Sequence, residues 1–197
     1  ESIALMKLSH AVITSVDRDD LPDLGAAHWA QTIREIKRLN PETTTEVLIP
    51  DFQGRKELVD QVIKACPEII SHNMETVKRI SPQVRSAANY HTSLEVIRQI
   101  AESGITAKSG IMVGLGETPA EVEELMDDLI SVGCKILTIG QYLQPTHKHF
   151  PVAAYITPEQ FAVYKETGLK KGFEQMESAP LVRSSYHAEK HIRFNNK

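Results

Sequence analysis

Cysteine is scarce in this chain: there are 2 in 197 residues, Cys66 and Cys134, far apart and in no C-x-x-C or similar pair. That spacing excludes a disulfide scaffold and a self-contained metal cluster, and it fits two buried or half-buried thiols. Long apolar runs are also missing; none approaches the ~20 residues of a membrane-spanning helix. An excess of positive charge is missing too. Lys and Arg number 22 against 26 Asp and Glu, for a net charge of −4, so nothing points to nucleic acid or an anionic membrane as a partner. No signal or transit peptide is visible, which suggests a cytoplasmic chain, or an organellar-matrix one if the source is eukaryotic. What remains is ordinary globular composition, 41% hydrophobic and 24% charged, with enough residues for one sizeable core.

Short apolar, β-branched runs alternate with helical patterns. Strands are expected at His10–Ser15, Thr44–Pro50, Ile69–Met74, Thr106–Gly114 and Lys135–Tyr142. Helices are expected at Gly25–Leu39, Arg55–Ala65, Thr76–Ile80, Ser93–Ser103, Pro119–Val132 and from Thr157 to about Lys171, several with an N-cap threonine, a proline in the first turn or a closing glycine. Strand–helix alternation reads as repeated βα units on a parallel sheet. Polar residues collect after each strand, which favours a barrel-like arc whose C-terminal rim holds the site. Residues Glu1–Ser9 look like the end of a helix with no strand before it. The expectation is therefore an α/β partial (β/α) barrel of about five βα units from a six-unit arc, its first strand missing, over residues 1–176. A C-terminal segment follows at 177–197. A bare sheet edge would make the isolated chain aggregation-prone.

Individual motifs leave alternatives open. Gly110–Glu117 is a strand entering a glycine-rich turn; either a ligand approaches the backbone there or the turn needs positive φ, and the spacing is not G-x-G-x-x-G. At His72-Asn73-Met74-Glu75, alternation sends Asn73 and Glu75 to one side. That pair suits ribose hydroxyls, or else it is a helix-start carboxylate beside a core histidine. Ser15–Asp20 sets three carboxylates around Arg18, for a zwitterion or for self-pairing. His147 and His149 lack a third ligand nearby. Lys108, inside an apolar strand, is a Schiff-base candidate or an inward group paired with Glu75 or a ligand. Arg183-Ser184-Ser185-Tyr186-His187 fits neither a strand nor a helix pattern. It is either a polar tail or part of a site.

Taken together, the stretches VITSVDRDDL (12–21), VLIPDFQGR (47–55), SHNMETV (71–77), VRSAANYHTSL (84–94), KSGIMVGLGET (108–118), TIGQYLQPTHKHFPV (138–152) and LVRSSYHA (181–188) resemble the lipoyl synthase family of radical S-adenosylmethionine (SAM) enzymes. They fall in family order and cover nearly all of the chain. One departure is Leu24-Gly25, where the family usually has two glycines. The larger one is the absence of the C-x4-C-x5-C and C-x3-C-x2-C motifs, which hold an auxiliary 4Fe–4S cluster and the cluster that binds SAM.

The resemblance implies insertion of two sulfurs at C6 and C8 of a protein-bound octanoyl chain, driven by a 5′-deoxyadenosyl radical. It implies two 4Fe–4S clusters and SAM as cofactors. The implied partners are octanoylated carriers (lipoyl domains or the glycine-cleavage H protein) and a donor such as flavodoxin or ferredoxin. By the same resemblance, Asn73 and Glu75 hold the ribose of SAM, and Ser15, Asp17 and Arg18 lie at its methionine end. Gly110, Gly114, Gln141, Tyr142 and Leu143 flank the adenine. Ser185 ligates the auxiliary cluster, with Lys108, Arg183 and Tyr186 in support. Without the cysteines, this chain by itself is expected to be inactive, and the Arg183–His187 run a mobile tail. The alternatives are a Schiff-base lyase using Lys108 and a non-catalytic module that docks a lipoyl carrier domain. Anaerobic iron–sulfide reconstitution of this chain tests the cluster reading. The expected outcome is no stoichiometric 4Fe–4S absorbance.

Overall fold

The computed structural model describes residues 1–85 and 89–192; part of the stretch at 84–94 and the end of the 177–197 segment thus lie outside the described residues. In chain order the elements are α1 (Ser2–Met6), β1 (His10–Thr14), α2 (Ala26–Leu39), β2 (Thr44–Leu48), α3 (Lys56–Ile63), β3 (Ile69–Ser71), α4 (Ser81–Val84), α5 (Tyr90–Glu102), β4 (Thr106–Val113), α6 (Pro119–Ser131), β5 (Ile136–Gln141), α7 (Pro158–Lys171) and β6 (Gln175–Ser178). All neighbouring strands pair in parallel, in the order β1-β2-β3-β4-β5-β6. Among the described residues β1 and β6 do not pair with each other, so the sheet is an open arc.

Strand alternation gives the arc two faces of different character. Val47, Ile70, Ala107, Ile111, Leu137 and Ile139 join the main apolar core with Ile33, Val59, Ile97, Leu125 and Phe161 of the helices. The opposite face carries Glu46, Ser71, Lys108 and Thr138, all buried, with Ser71 in register beside Lys108. Beyond β6 the chain turns back across this inner face. The Ala179 amide donates to the Ile139 carbonyl (3.2 Å) and the Gln141 amide to the Pro180 carbonyl (3.2 Å). A 3-10 helix at Ala188–Ile192 reaches β1 at the other end of the arc.

Three expectations change. A sixth strand, β6, lies in what reads as the start of a tail. Residues Thr76–Ile80 form turns, and the helix begins only at Ser81, with Pro82 in its first turn. The Arg183–His187 run lies between the buried Val182 and Ala188 and is bonded to the sheet through the Ser184 carbonyl. Leu24 adopts a left-handed φ of 51° beside Gly25 at 83°. That backbone costs a residue with a Cβ about 1–2 kcal/mol. Leu24 is nevertheless almost fully buried, and burying a leucine contributes about 1.5–3 kcal/mol, so burial offsets the strain.

Helix α6 shows how local chemistry fixes a boundary. The Thr118 hydroxyl accepts from the Glu121 amide, and the Glu121 carboxylate accepts from the Thr118 amide. Arg79 also reaches Glu121 at 2.6 Å. The Arg79 guanidinium and the Thr118 amide hold the Glu121 carboxyl down to about 2. Its folded value lies below its unfolded one, so its contribution is present above the ordinary carboxylate range and is lost as pH falls towards 2. Thr118→Ala is expected to destabilise the α6 amides by about 1 kcal/mol in hydrogen exchange at neutral pH. Glu121→Gln should remove the acid-dependent part of their protection.

Candidate functional site

The C-terminal strand ends meet in a trough. One cavity of about 430 Å³ is lined by Ser15 and Asp17 after β1, Pro50 and Asp51 after β2, His72, Asn73 and Glu75 after β3, and Arg85. A second, of about 180 Å³, is lined by Gly110, Thr138, Gly140, Arg183 and Ser184, and again by Asn73 and Glu75. These two side chains form the wall between the cavities.

Glu75 faces the trough because its backbone turns sharply. At φ 63° it occupies the left-handed region, a strain of order 1–3 kcal/mol for a residue with a side chain. Hydrogen bonds on both sides pin it there: its amide donates to the Gly110 carbonyl (3.1 Å), and its carbonyl accepts from the Met112 amide (2.8 Å). Burial raises the Glu75 carboxyl, with Asn73 and Arg85 pulling against it. At Gly110 the missing side chain matters. A Cβ there would lie 2.7 Å from the Thr138 hydroxyl and 2.8 Å from Asn73 Oδ1, filling the cavity floor.

His72 is a core histidine. Its Nδ1 meets the Ile49 carbonyl at 3.0 Å and its Nε2 meets Ser93 Oγ at 2.9 Å. Since a carbonyl only accepts, Nδ1 carries the proton. Burial brings the imidazole down to about 4, so it is neutral at physiological pH. Arg85 completes the chain by donating to Ser93 Oγ at 3.0 Å. Arg85 thus turns a packed histidine into a support for the cavity wall.

Other sequence candidates fall elsewhere. Arg18 is exposed and chelates Asp20 at 2.8 and 2.7 Å; it borders a smaller hollow of about 150 Å³ shared with Asp17 and Asp51. Gln141 is buried beneath the rim, holding the Ala154 carbonyl and the Ile156 amide. Tyr142 donates to the Phe150 carbonyl at 2.7 Å, and Leu143 is exposed. The Gly114 amide donates to Glu117. None of these four lines either cavity of the trough. Ser185 and Tyr186 are exposed and follow Ser184, which lines the smaller cavity, the tyrosine ring set edge-on to His187. His149 is bonded to Thr146. Lys108 pairs with Glu46 (2.7 and 3.0 Å), not with Glu75. A carboxylate inside the apolar strand β2 was the visible signal that such a partner exists.

No group of three or more His, Cys, Asp or Glu among the described residues could hold a metal. Cys66 is exposed, and the Cys134 thiol is buried and pushed up to about 12. Among the described residues there is therefore no cysteine set for an iron–sulfur cluster. A polar wall facing a glycine-floored cavity does fit a nucleoside. Among the described residues no helix is long and apolar enough to cross a membrane.

Comparison with known proteins agrees with this geometry. Residues 2–129 match the Radical SAM superfamily. The fold resembles a solved domain of pyruvate-formate lyase-activating enzyme from Bacteroides vulgatus, with a TM-score of 0.63 at 15% identity over 85% of this chain and 98% of that one. The chain is 99% identical over its whole length to the lipoyl synthase of Bacteroides fragilis, covering 68% of that protein. It is 80% identical over 98% of its length to the lipoyl synthase of Phocaeicola vulgatus, again covering 68%. A radical SAM arc with this degree of identity to lipoyl synthases along all of its strands leaves one assignment: the chain belongs to the lipoyl synthase family, radical SAM enzymes that form the lipoyl group.

Proposed function

We propose that this chain supplies the SAM-binding wall and the substrate-facing mouth of a lipoyl synthase. The observation that carries this reading is the shared wall of Asn73 and Glu75, a half-buried amide and carboxylate over the Gly110 floor. Vicinal ribose hydroxyls donate to a carboxylate and accept from an amide, so the pair suits a ribose, and Gly110 leaves room for a flat base. Asp17 and Ser15, at the other end of the larger cavity, suit the ammonium of the methionine part. SAM, when bound, supplies the family's source of a radical for taking hydrogen from an unactivated carbon. This chain's residues bind and orient it. The Glu75 backbone strain sets the carboxylate before the ligand arrives, and the Arg85–Ser93–His72 chain keeps the wall rigid.

The family uses 4Fe–4S clusters. The described residues offer no cluster site of their own, and the assignment of Ser185 as a ligand rests on the resemblance of its motif. The substrate we propose is an octanoylated lipoyl carrier, such as a lipoyl domain or the glycine-cleavage H protein, with a flavodoxin or ferredoxin as electron donor. As a Schiff-base nucleophile Lys108 is poorly placed: it is fully buried, bonded to Glu46, and lines neither cavity.

Isothermal titration with SAM tests the wall. Glu75→Gln is expected to weaken binding about 10- to 100-fold, the range for a lost hydrogen bond to a charged group, and Asn73→Ala about 2- to 10-fold, the range for a neutral one. Unchanged affinity in both would remove the reading. The raised Glu75 carboxyl adds a pH signature. Ionised Glu75 accepts from the hydroxyls, so affinity should rise with pH through a midpoint above the ordinary carboxylate range. Glu75→Gln should flatten that rise.

A further inference from the structure

The inner face of the arc carries a charged cluster that the SAM wall does not use. Lys108 and Glu46 are both wholly buried. The Lys108 ammonium has three N–H groups, and all are engaged. They reach the Glu46 carboxylate at 2.7 Å, the Ser184 carbonyl at 2.6 Å and His191 Nδ1 at 3.2 Å. Two of these three acceptors belong to the segment that returns across the arc. That segment fits the sheet closely at one more point, since a Cβ at Gly140 would run into the Val182 carbonyl. The Ser184 side chain in turn meets Asn73 Nδ2 at 3.1 Å.

A buried ion pair is a poor device for stability, because desolvating both charges offsets most of their attraction. A pair that aims a third N–H at one backbone carbonyl has a different use. We propose that Glu46 and Lys108 are positioning residues. Glu46 fixes the ammonium inside the arc, the ammonium fixes the Ser184 carbonyl, and the adjoining Ser185 is thereby positioned. His191 anchors the far end of the same segment. The inference does not rest on the role given to Asn73 and Glu75: neither touches Lys108, and Asn73 meets only the side chain of the positioned Ser184.

Hydrogen exchange by mass spectrometry on the intact protein tests it. The double variant Glu46→Leu with Lys108→Met replaces the pair by apolar side chains, a change that sheets commonly tolerate. Peptides spanning 183–190 should exchange about tenfold faster, the effect of losing one strong anchoring hydrogen bond, while β4 keeps its protection. Unchanged exchange at 183–190 with β4 intact overturns the proposal. Should β4 lose protection, His191→Phe decides, because it keeps the ion pair and the ring volume. Faster exchange confined to the returning segment supports the proposal, and unchanged exchange there overturns it. Failure of SAM to bind the parent protein would sink the nucleoside reading and leave this one standing.

Discussion

The structure depends on one constraint: a parallel arc has two faces, and only the outer one can be covered by the helices that connect its strands. On the outside the chain answers with Val, Ile and Leu packed against five long helices. On the inside it places charges and hydroxyls, and these require partners as soon as water is excluded. The Glu46–Lys108 pair and the returning C-terminal segment meet part of that need together, while Ser71 Oγ and the Nε2 atoms of His10 and His191 stay buried without a hydrogen bond among the described residues. The interior is therefore a partly bonded polar layer that ends at the rim in a cavity, and the site is the place where this layer reaches solvent.

At the rim, function and local cost coincide. Glu75 accepts an unfavourable backbone conformation and a desolvated carboxyl at the same residue. Neither helps the fold. Both persist because β4 holds the Glu75 peptide groups from two sides. Arg85 is similar, a guanidinium whose pKa burial has lowered and which is spent on Ser93 and the Met74 carbonyl. Strain and desolvation at residues that line a cavity mark where a ligand is expected.

Much of this was legible in the sequence. Five strands show as apolar runs because a strand covered on its outer face needs β-branched residues there, and the rim shows because each run ends in polar residues. Asn73 and Glu75 were readable as a candidate pair from alternation, but β3 ends at Ser71, and it is the left-handed backbone at Glu75, invisible in the sequence, that turns the carboxylate to the trough. Strand β6 was not, since Gln175-Met176-Glu177-Ser178 presents one apolar residue outward and polar ones inward. The Lys108 partner showed only as a carboxylate within β2: Glu46 is distant in sequence, and it takes the register of β2, β3 and β4 to bring the two together. Gln141 and Tyr142, in a rim stretch, bond beneath the surface to the loop at 150–156, because that loop needs donors and acceptors for its own backbone.

Asn73 stands in the wall of both cavities and also bonds Ser184. A group that touches two compartments makes their occupancies thermodynamically inseparable. Whatever factor a ligand in the larger cavity applies to the seating of the C-terminal segment, the seated segment applies the same factor to that ligand's affinity. One amide side chain thus makes the two ends of the trough a reciprocal pair. Measuring the coupling from either side gives its value for both.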